Sequence, residues 1–572
     1  MNSKLSGQDA LFLNVDLPHA ASHGMMIYIY EQTALGGKPL GFRQIVRHVE
    51  SRLDASPVLR RRIVQVPFGL GYPFWVDDDL FDIDFHVRHF ALPKPGDWRQ
   101  FCIMASRIHA RSVDLTRSPW EMYVIEGLDN IEGIAPGSFA ILTKIHHAAM
   151  DGTAAAELTW ALHDIEHAAG KVRPVVKVKR PAPARPTTWK LSDTLTRAVA
   201  DNLMATARMA PPLARLLPRL AATGLRSLLS PRKATAAGIA PRTRFNADVA
   251  ASRVWDSVTL DLAAVKGIKS VVPGATVNDA VIAMIGGAMR RYLQGNNELP
   301  PKSLVTLAPV NTRQEGANRD AAGNTISVLR FPLCTDIEDP IERLAAVRAA
   351  TAESKGLQNA IGARDLTDVQ KFIPPATLGL AGRLSTLLGA GGKGPMPLHN
   401  CLVTNVPGPN LPLRMLGAEL VYWVGVGPVT DGMSLIWNAT SYCGKMFISL
   451  TSAPNIVPDP EVLAQCLKDS YAEMVAAAAA VAKRAEAPGK AARRPEEAQP
   501  VKAVKTAKAK RAPKATKPTA RAKPAAAVKP ATRRAAPAPA PALAATPASK
   551  RTPTRTRTRT RRAPAAPAGN AD

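Results

Sequence analysis

Two adjacent histidines, His146 and His147, precede an Asp-Gly pair, Asp151-Gly152, at the end of an apolar run. A neutral imidazole held in one tautomer can take the proton from a hydroxyl while that oxygen attacks a carbonyl. The chemistry these residue types suggest is therefore acyl transfer, with Asp151 and the backbone holding the ring and Gly152 permitting a tight turn where a side chain would block substrate. The bland alternatives are a core histidine and a solvated turn aspartate. A metal pair is not expected: neighbouring histidines on a strand face opposite ways, and no HExxH or cysteine cluster accompanies them. For this length and composition the full HHxxxDG pattern should arise by chance on the order of once in a thousand such chains.

The elements that must carry the motif are legible around it. Val124-Ile125 and Phe139 to Leu142 are strand-like, and Thr153 onward reads as a helix built on Ala154, Ala155, Leu158, Ala161 and Leu162. The histidines are thus placed at a strand-to-helix junction. No GxSxG elbow, Walker A loop or GxGxxG turn is present, so nucleotide hydrolysis and hydride transfer lack support and no bound cofactor is expected.

Charge divides the chain sharply. Of 74 Lys and Arg and 46 Asp and Glu, 24 and 4 lie between Lys483 and Asp572, which leaves the tail at +20 and the body at +8. The tail (483–572) is Ala, Pro, Lys, Arg and Thr without an aromatic residue, a composition that cannot offset its ordering entropy, and disorder is expected there. The body is long enough for two domains. The first is expected over 1–170 and the second over 242–482, joined by a basic, proline-rich crossover at 171–241 that includes helical spacing from Asp193 to Leu229. Arginines interleave with the apolar positions of that stretch, which suits either a connector packed on the body or a helix lying on an anionic lipid surface. Cys102, Cys334, Cys401, Cys443 and Cys466 are scattered, suggesting neither disulfides nor a metal ribbon. The N-terminus lacks the apolar core of a secretory signal and no run reaches the ~18 apolar residues of a spanning helix, so the expected location is cytoplasmic.

Several blocks in order resemble the bacterial wax ester synthase/acyl-CoA:diacylglycerol acyltransferase family over most of residues 1–482. They are Leu5-Ser6-Gly7-Gln8-Asp9-Ala10-Leu11-Phe12-Leu13, His86-Val87-Arg88-His89, Pro119-Trp120-Glu121, the HHxxxDG motif, Asn278-Asp279, Pro309-Val310-Asn311-Thr312-Arg313, Thr404-Asn405-Val406-Pro407-Gly408-Pro409 and Ser441-Tyr442. Two positions depart: Ser118 stands before Pro119-Trp120-Glu121 where the family's block reads Pro-Leu-Trp-Glu, and Asn311 stands where a serine is common. The resemblance implies an α/β fold of two chloramphenicol acetyltransferase-like domains with a substrate tunnel at their interface. It also implies a long-chain acyl-CoA donor and a diacylglycerol or fatty-alcohol acceptor.

Under that resemblance His147 is the general base and His146 supports it. Asp151 orients the loop, by pairing with an arginine such as Arg313, and Gly152 forms the backbone turn. Asn278, Asp279, Arg313 and Asn405 are candidate substrate contacts, with a helix cap the competing role for Asn278 and Asp279 and oxyanion donation or tunnel shaping the role for Asn405. The basic tail suits an anionic membrane or lipid-droplet surface, and would also attract nucleic acid nonspecifically. Two rivals remain: a catalytically weak lipid-binding scaffold tethered by its tail, and a related acyltransferase using another alcohol.

Overall fold

Strand β1 (His23–Glu31) is buried along nearly its whole length, because it lies at the middle of a seven-stranded sheet and is covered on both faces. In a computed structural model, residues 4–66, 71–149, 159–165, 239–311, 326–361 and 397–486 are described, together with parts of 199–218. The first sheet also takes β4 (Val87–Ala91), β5 (Trp120–Leu128), β6 (Ser138–His146), β7 (Asp164–Ile165), β12 (Leu413–Met415) and β13 (Ala418–Val426), in the order β4-β5-β6-β1-β13-β12-β7. Only the β4–β5 pair is parallel. Strands β2 (Arg61–Val64) and β3 (Phe74–Asp77) form a separate hairpin-like pair. Around the sheet lie α1 (Gly7–Asn14), α2 (Phe42–Arg52), the single turn α3 (Ile83–His86) and α4 (Trp98–Ala110). Asp97 caps α4 by accepting from Gln100 N, and the Gln100 side chain answers at the cap backbone.

The second sheet contains β8 (Val254–Asp261), β9 (Val305–Asn311), β10 (Ile326–Pro332), β11 (Cys401–Pro407), β14 (Ile436–Tyr442) and β15 (Lys445–Ser452), in the order β10-β9-β11-β14-β15-β8. The alternation from Val254 to Leu260 and the stretch from Leu435 to Tyr442 read as strands in the sequence, and they correspond to β8 and β14. Helices α5 (Leu262–Ser270), α6 (Val277–Gly295), α7 (Pro340–Ile361) and α8 (Pro460–Glu486) pack with it. Helix α6 is buried almost all round, and Gly287 explains how: a Cβ there would sit 2.2 Å from Ser470 Oγ of α8 and 2.8 Å from Arg343 of α7. Only glycine lets the helices approach so closely.

The sheets do not follow the expected chain division at residue 242. Strands β12 and β13 belong to the later half, yet β13 pairs with β1 in the first sheet. The Tyr442 hydroxyl accepts Leu413 N–H at 2.7 Å, which fixes the place where the chain crosses over. An aromatic cluster adds to the junction: Trp98 of α4 packs on Trp255 and Tyr422, and its Nε1 donates to Asp256 at 2.8 Å. The last helix runs through Lys483 and Arg484 to Glu486, so the body extends four residues past the expected boundary; the rest of the tail lies outside the described residues. In the crossover, residues 202–211 and 213–215 are helical, with Leu203 and Met204 exposed and Ala205 buried.

Candidate active site

Strand β6 ends at His146, and a 3-10 turn, His147–Ala149, follows. The break gives the two histidines different surroundings. His146 is buried; its Nδ1 accepts Ala148 N–H at 3.1 Å, which leaves the proton on Nε2, and that atom faces Asp16 Oδ2 at 3.6 Å. His147 donates its backbone N–H to the Ser22 carbonyl at 2.9 Å, and its ring stacks on Phe12 of α1 with centroids 5.0 Å apart. Burial, and then the neighbouring His146, push the His147 imidazole down to about 4. It is therefore neutral across the ordinary pH range, the state a proton acceptor needs.

Behind the pair lies a buried polar layer. His23 of β1 stands opposite His146, and Met25 opposite Lys144, so Lys144, His146 and His23 share one face of the sheet. Helix α4 ends on that face with carbonyls that have no partner within the helix. Lys144 Nζ donates to Ile108 O at 3.2 Å and Arg111 O at 2.8 Å, and His23 Nε2 donates to His109 O at 2.7 Å. A cation at a helix C-terminus is also favoured by the helix dipole. Lys144 is fully buried and pairs with Glu121 of β5 at 2.9 Å; Arg88 of β4 reaches the same carboxylate at 3.4 Å. Burial pulls the lysine down, with Glu121 opposing.

This layer explains why separate sequence blocks stand together. Glu121 meets Arg88, Trp120 stacks on His86 at 4.5 Å, and the Pro119 carbonyl accepts His146 N–H at 3.0 Å. On the far side of the motif, Tyr28 OH meets Thr159 Oγ1 at 2.7 Å. Tyr30 OH donates to His163 Nε2 at 2.7 Å, since His163 Nδ1 donates to the Thr159 carbonyl. These bonds pin the segment that follows the motif onto β1. Asp151, Gly152 and Arg313 lie outside the described residues, and so does the expected Asp151–Arg313 pairing.

The later candidates form a second group. Asn405 of β11 donates to Asn278 Oδ1 at 3.3 Å, so these two are brought together. Thr276 is the cap of α6 and Asp279 the third residue of its capping box. Asp279 Oδ2 accepts from Thr276 N and Oγ1, and Oδ1 accepts from Thr351 Oγ1 at 2.8 Å, which occupies both oxygens inside the protein. Beside Asn405, Gly408 closes the strand: a Cβ there would lie 2.3 Å from both the Ser441 carbonyl and the Trp423 ring. Asp16, Ser22, His23 and Lys144 were not singled out from sequence. Of these, only Lys144 carries a legible signal, a charge inside an otherwise apolar strand.

Two mixed sheets joined by a strand crossover, with a histidine pair ending a strand beside the junction, define a CoA-dependent-acyltransferase-like α/β fold. The structure of a trichothecene 15-O-acetyltransferase from Fusarium sporotrichioides matches it with a TM-score of 0.51 and 12% identity, over 83% of this chain and 95% of that one. The wax ester synthase/diacylglycerol acyltransferase from Marinobacter aquaeolei VT8 matches with a TM-score of 0.58 and 23% identity, over 83% and 100%. Residues 5–281 match the model of the wax ester synthase/diacylglycerol acyltransferase catalytic domain, and residues 322–475 that of the family's C-terminal domain. A Mycobacterium tuberculosis protein provisionally named a diacylglycerol O-acyltransferase is 30% identical, with 84% of this chain and 98% of the relative covered. The chain belongs to the wax ester synthase/diacylglycerol acyltransferase family. No described helix is long and apolar enough to cross a membrane.

Proposed function

We propose that the protein transfers a long-chain acyl group from acyl-CoA to the hydroxyl of diacylglycerol, of a fatty alcohol, or of both, with His147 as general base. The observation that carries this reading is the half-buried, neutral His147 at the end of β6, its backbone held by Ser22 and its ring stacked on Phe12. In the reaction the acceptor's O–H proton passes to His147 as the oxygen adds to the thioester carbonyl. The C–S bond then breaks, and the CoA sulfur leaves with that proton as the thiol. A base of low intrinsic basicity is effective only when proton transfer accompanies C–O bond formation, so His147 is suited to the concerted step and not to forming a free alkoxide. His146 cannot share the role in this arrangement, because its Nδ1 accepts from Ala148 and its Nε2 keeps the proton.

In the Asn405–Asn278 pair, Asn405 Nδ2 has a second hydrogen that suits it to steady the developing oxyanion. The basic tail and the arginine-rich crossover suit an anionic lipid surface, where water-insoluble acceptors reside. The deciding experiment is product analysis with palmitoyl-CoA and either dioleoylglycerol or hexadecanol, comparing the native chain with His147→Ala. A base of this kind is worth about 10²–10⁴ in rate, so the mutant should lose ester by that factor while staying folded. Ester from neither alcohol with the folded native protein would reject the reaction and favour the scaffold or another acceptor.

A further inference from the structure

The eight residues between α1 and β1 touch both histidines of the motif. Asp16 accepts Ser22 N–H through Oδ1 at 2.7 Å, and its Oδ2 lies 3.6 Å from His146 Nε2. That nitrogen is buried and has no hydrogen-bond partner among the described residues, and the Asp16 carboxylate faces it from just beyond hydrogen-bond distance. Ser22, tied to Asp16 by its N–H, uses its carbonyl to hold the His147 N–H. The same loop is fastened to the later half of the chain: Arg253 donates to the His19 carbonyl at 2.7 Å, and His19 Nε2 meets Asp431 at 3.1 Å. Burial pushes the Asp16 carboxyl up, but the His146 contact and the Ser22 N–H outweigh it, and the group stays below its ordinary value and therefore charged.

We propose that Asp16 is a positioning residue for acyl transfer: one carboxylate oxygen restrains Ser22 and through it the His147 backbone, while the other restrains the His146 ring, so both flanks of His147 are fixed from one side chain. The proposal rests on His147 being the base. Two acceptor oxygens are required because two N–H groups converge on them, and this separates Asp16 from a residue that merely fills space. Asparagine has the same size and only one acceptor.

The test is steady-state ester formation by the full chain and by Asp16→Ala, Asp16→Asn and His147→Ala, with rates expressed per folded molecule. Misplacing a reacting group by about 1 Å can cost ~10²-fold, so Asp16→Ala is expected to lower kcat by about 10–100-fold with KM for acyl-CoA within about twofold. Asp16→Asn should lose at least about half as much on a logarithmic scale, since it keeps one of the two acceptor oxygens. A purely structural role would reduce the folded fraction and Tm but leave kcat per folded molecule intact, and that result overturns the proposal. A raised KM at unchanged kcat would also overturn it, by assigning Asp16 to substrate binding. Should Asp16→Ala fail to fold, Asp16→Asn decides alone. Full activity in His147→Ala would instead reject the base itself, an outcome visible without either Asp16 variant.

Discussion

The two sheets are built from similar parts yet bury different things. Beneath the end of β6 the first sheet hides Lys144, Glu121, His23, His109 and His146 against α4, whereas α6 in the second half buries Ala280, Val281, Ile282, Ala283, Met284, Ile285, Gly286 and Gly287 in succession. An apolar, glycine-lined helix gains stability from close packing and asks little of its partners. A buried ion pair gains little net stability over an apolar substitute, because desolvation cancels much of the attraction. What such a layer supplies is orientation: Lys144 and His23 donate to carbonyls at the end of α4, and the ends of the strands and the helix are held in a single register. The half that carries the proposed base is the half that bears this cost, and the second half contributes a stiff wall and the Asn405–Asn278 pair.

The sharpest way to break the comparison is to unpair the layer. Glu121→Ala leaves Lys144 buried without its carboxylate, and removal of one partner from such a pair costs about 3–5 kcal/mol. Denaturant melts should show that loss. An apolar-to-apolar change in α6, Ile285→Val, should cost only about 0.5–1.5 kcal/mol. Equal losses would mean that the two halves are not differently built.

A second expectation concerns pH. Burial holds His109 at about 3 and His147, His163 and His399 at about 4, all below the ordinary 6.5. These groups take up a proton in the unfolded chain at a higher pH than in the folded one. Their contribution is therefore complete above about 6.5 and is lost as pH falls toward 4 and then 3. Tm measured from pH 8 to pH 4 should drop progressively below about 6.5. A flat profile would show that these histidines are solvated.

Smaller effects sharpen the picture. Asn405→Ala removes one hydrogen bond at the edge of the second group, and a decrease in kcat of about tenfold or less is expected, well short of the loss in His147→Ala. No change at all would leave Asn405 as a strand-end residue. His109 has neither ring nitrogen hydrogen-bonded among the described residues and is 2% exposed. Replacing it by Phe removes unsatisfied polar atoms at similar shape, so stability should change by less than about 1 kcal/mol, in either direction. A large loss would reveal a buried partner, such as a water.

Local chemistry was readable from the chain. The apolar run into His146 predicts β6, the Val254–Leu260 alternation predicts β8, and Asn278-Asp279 marks the start of α6, although the cap itself is Thr276. The order of the family-like blocks indicated the two-part fold, and the HHxxxDG pattern located the candidate base. Pairings between distant segments were not readable, since periodicity fixes which face a residue occupies but not which strand lies beside it. Thus β13 enters the first sheet from the other end of the chain, and Asp16, separated from His146 by 130 positions, comes to face its ring.

The sequence by itself determined the strand, the turn residues and the histidines, because these follow from local spacing and side-chain type. Tertiary structure decided what surrounds each histidine, and it is on those surroundings that the proposed role of His147 rests. They comprise the Ala148 N–H, the Ser22 carbonyl, Phe12 and Asp16, and their convergence is set by how α1 and β1 dock on β6. Desolvation by the assembled protein, a property of no single segment, then makes His147 a neutral acceptor.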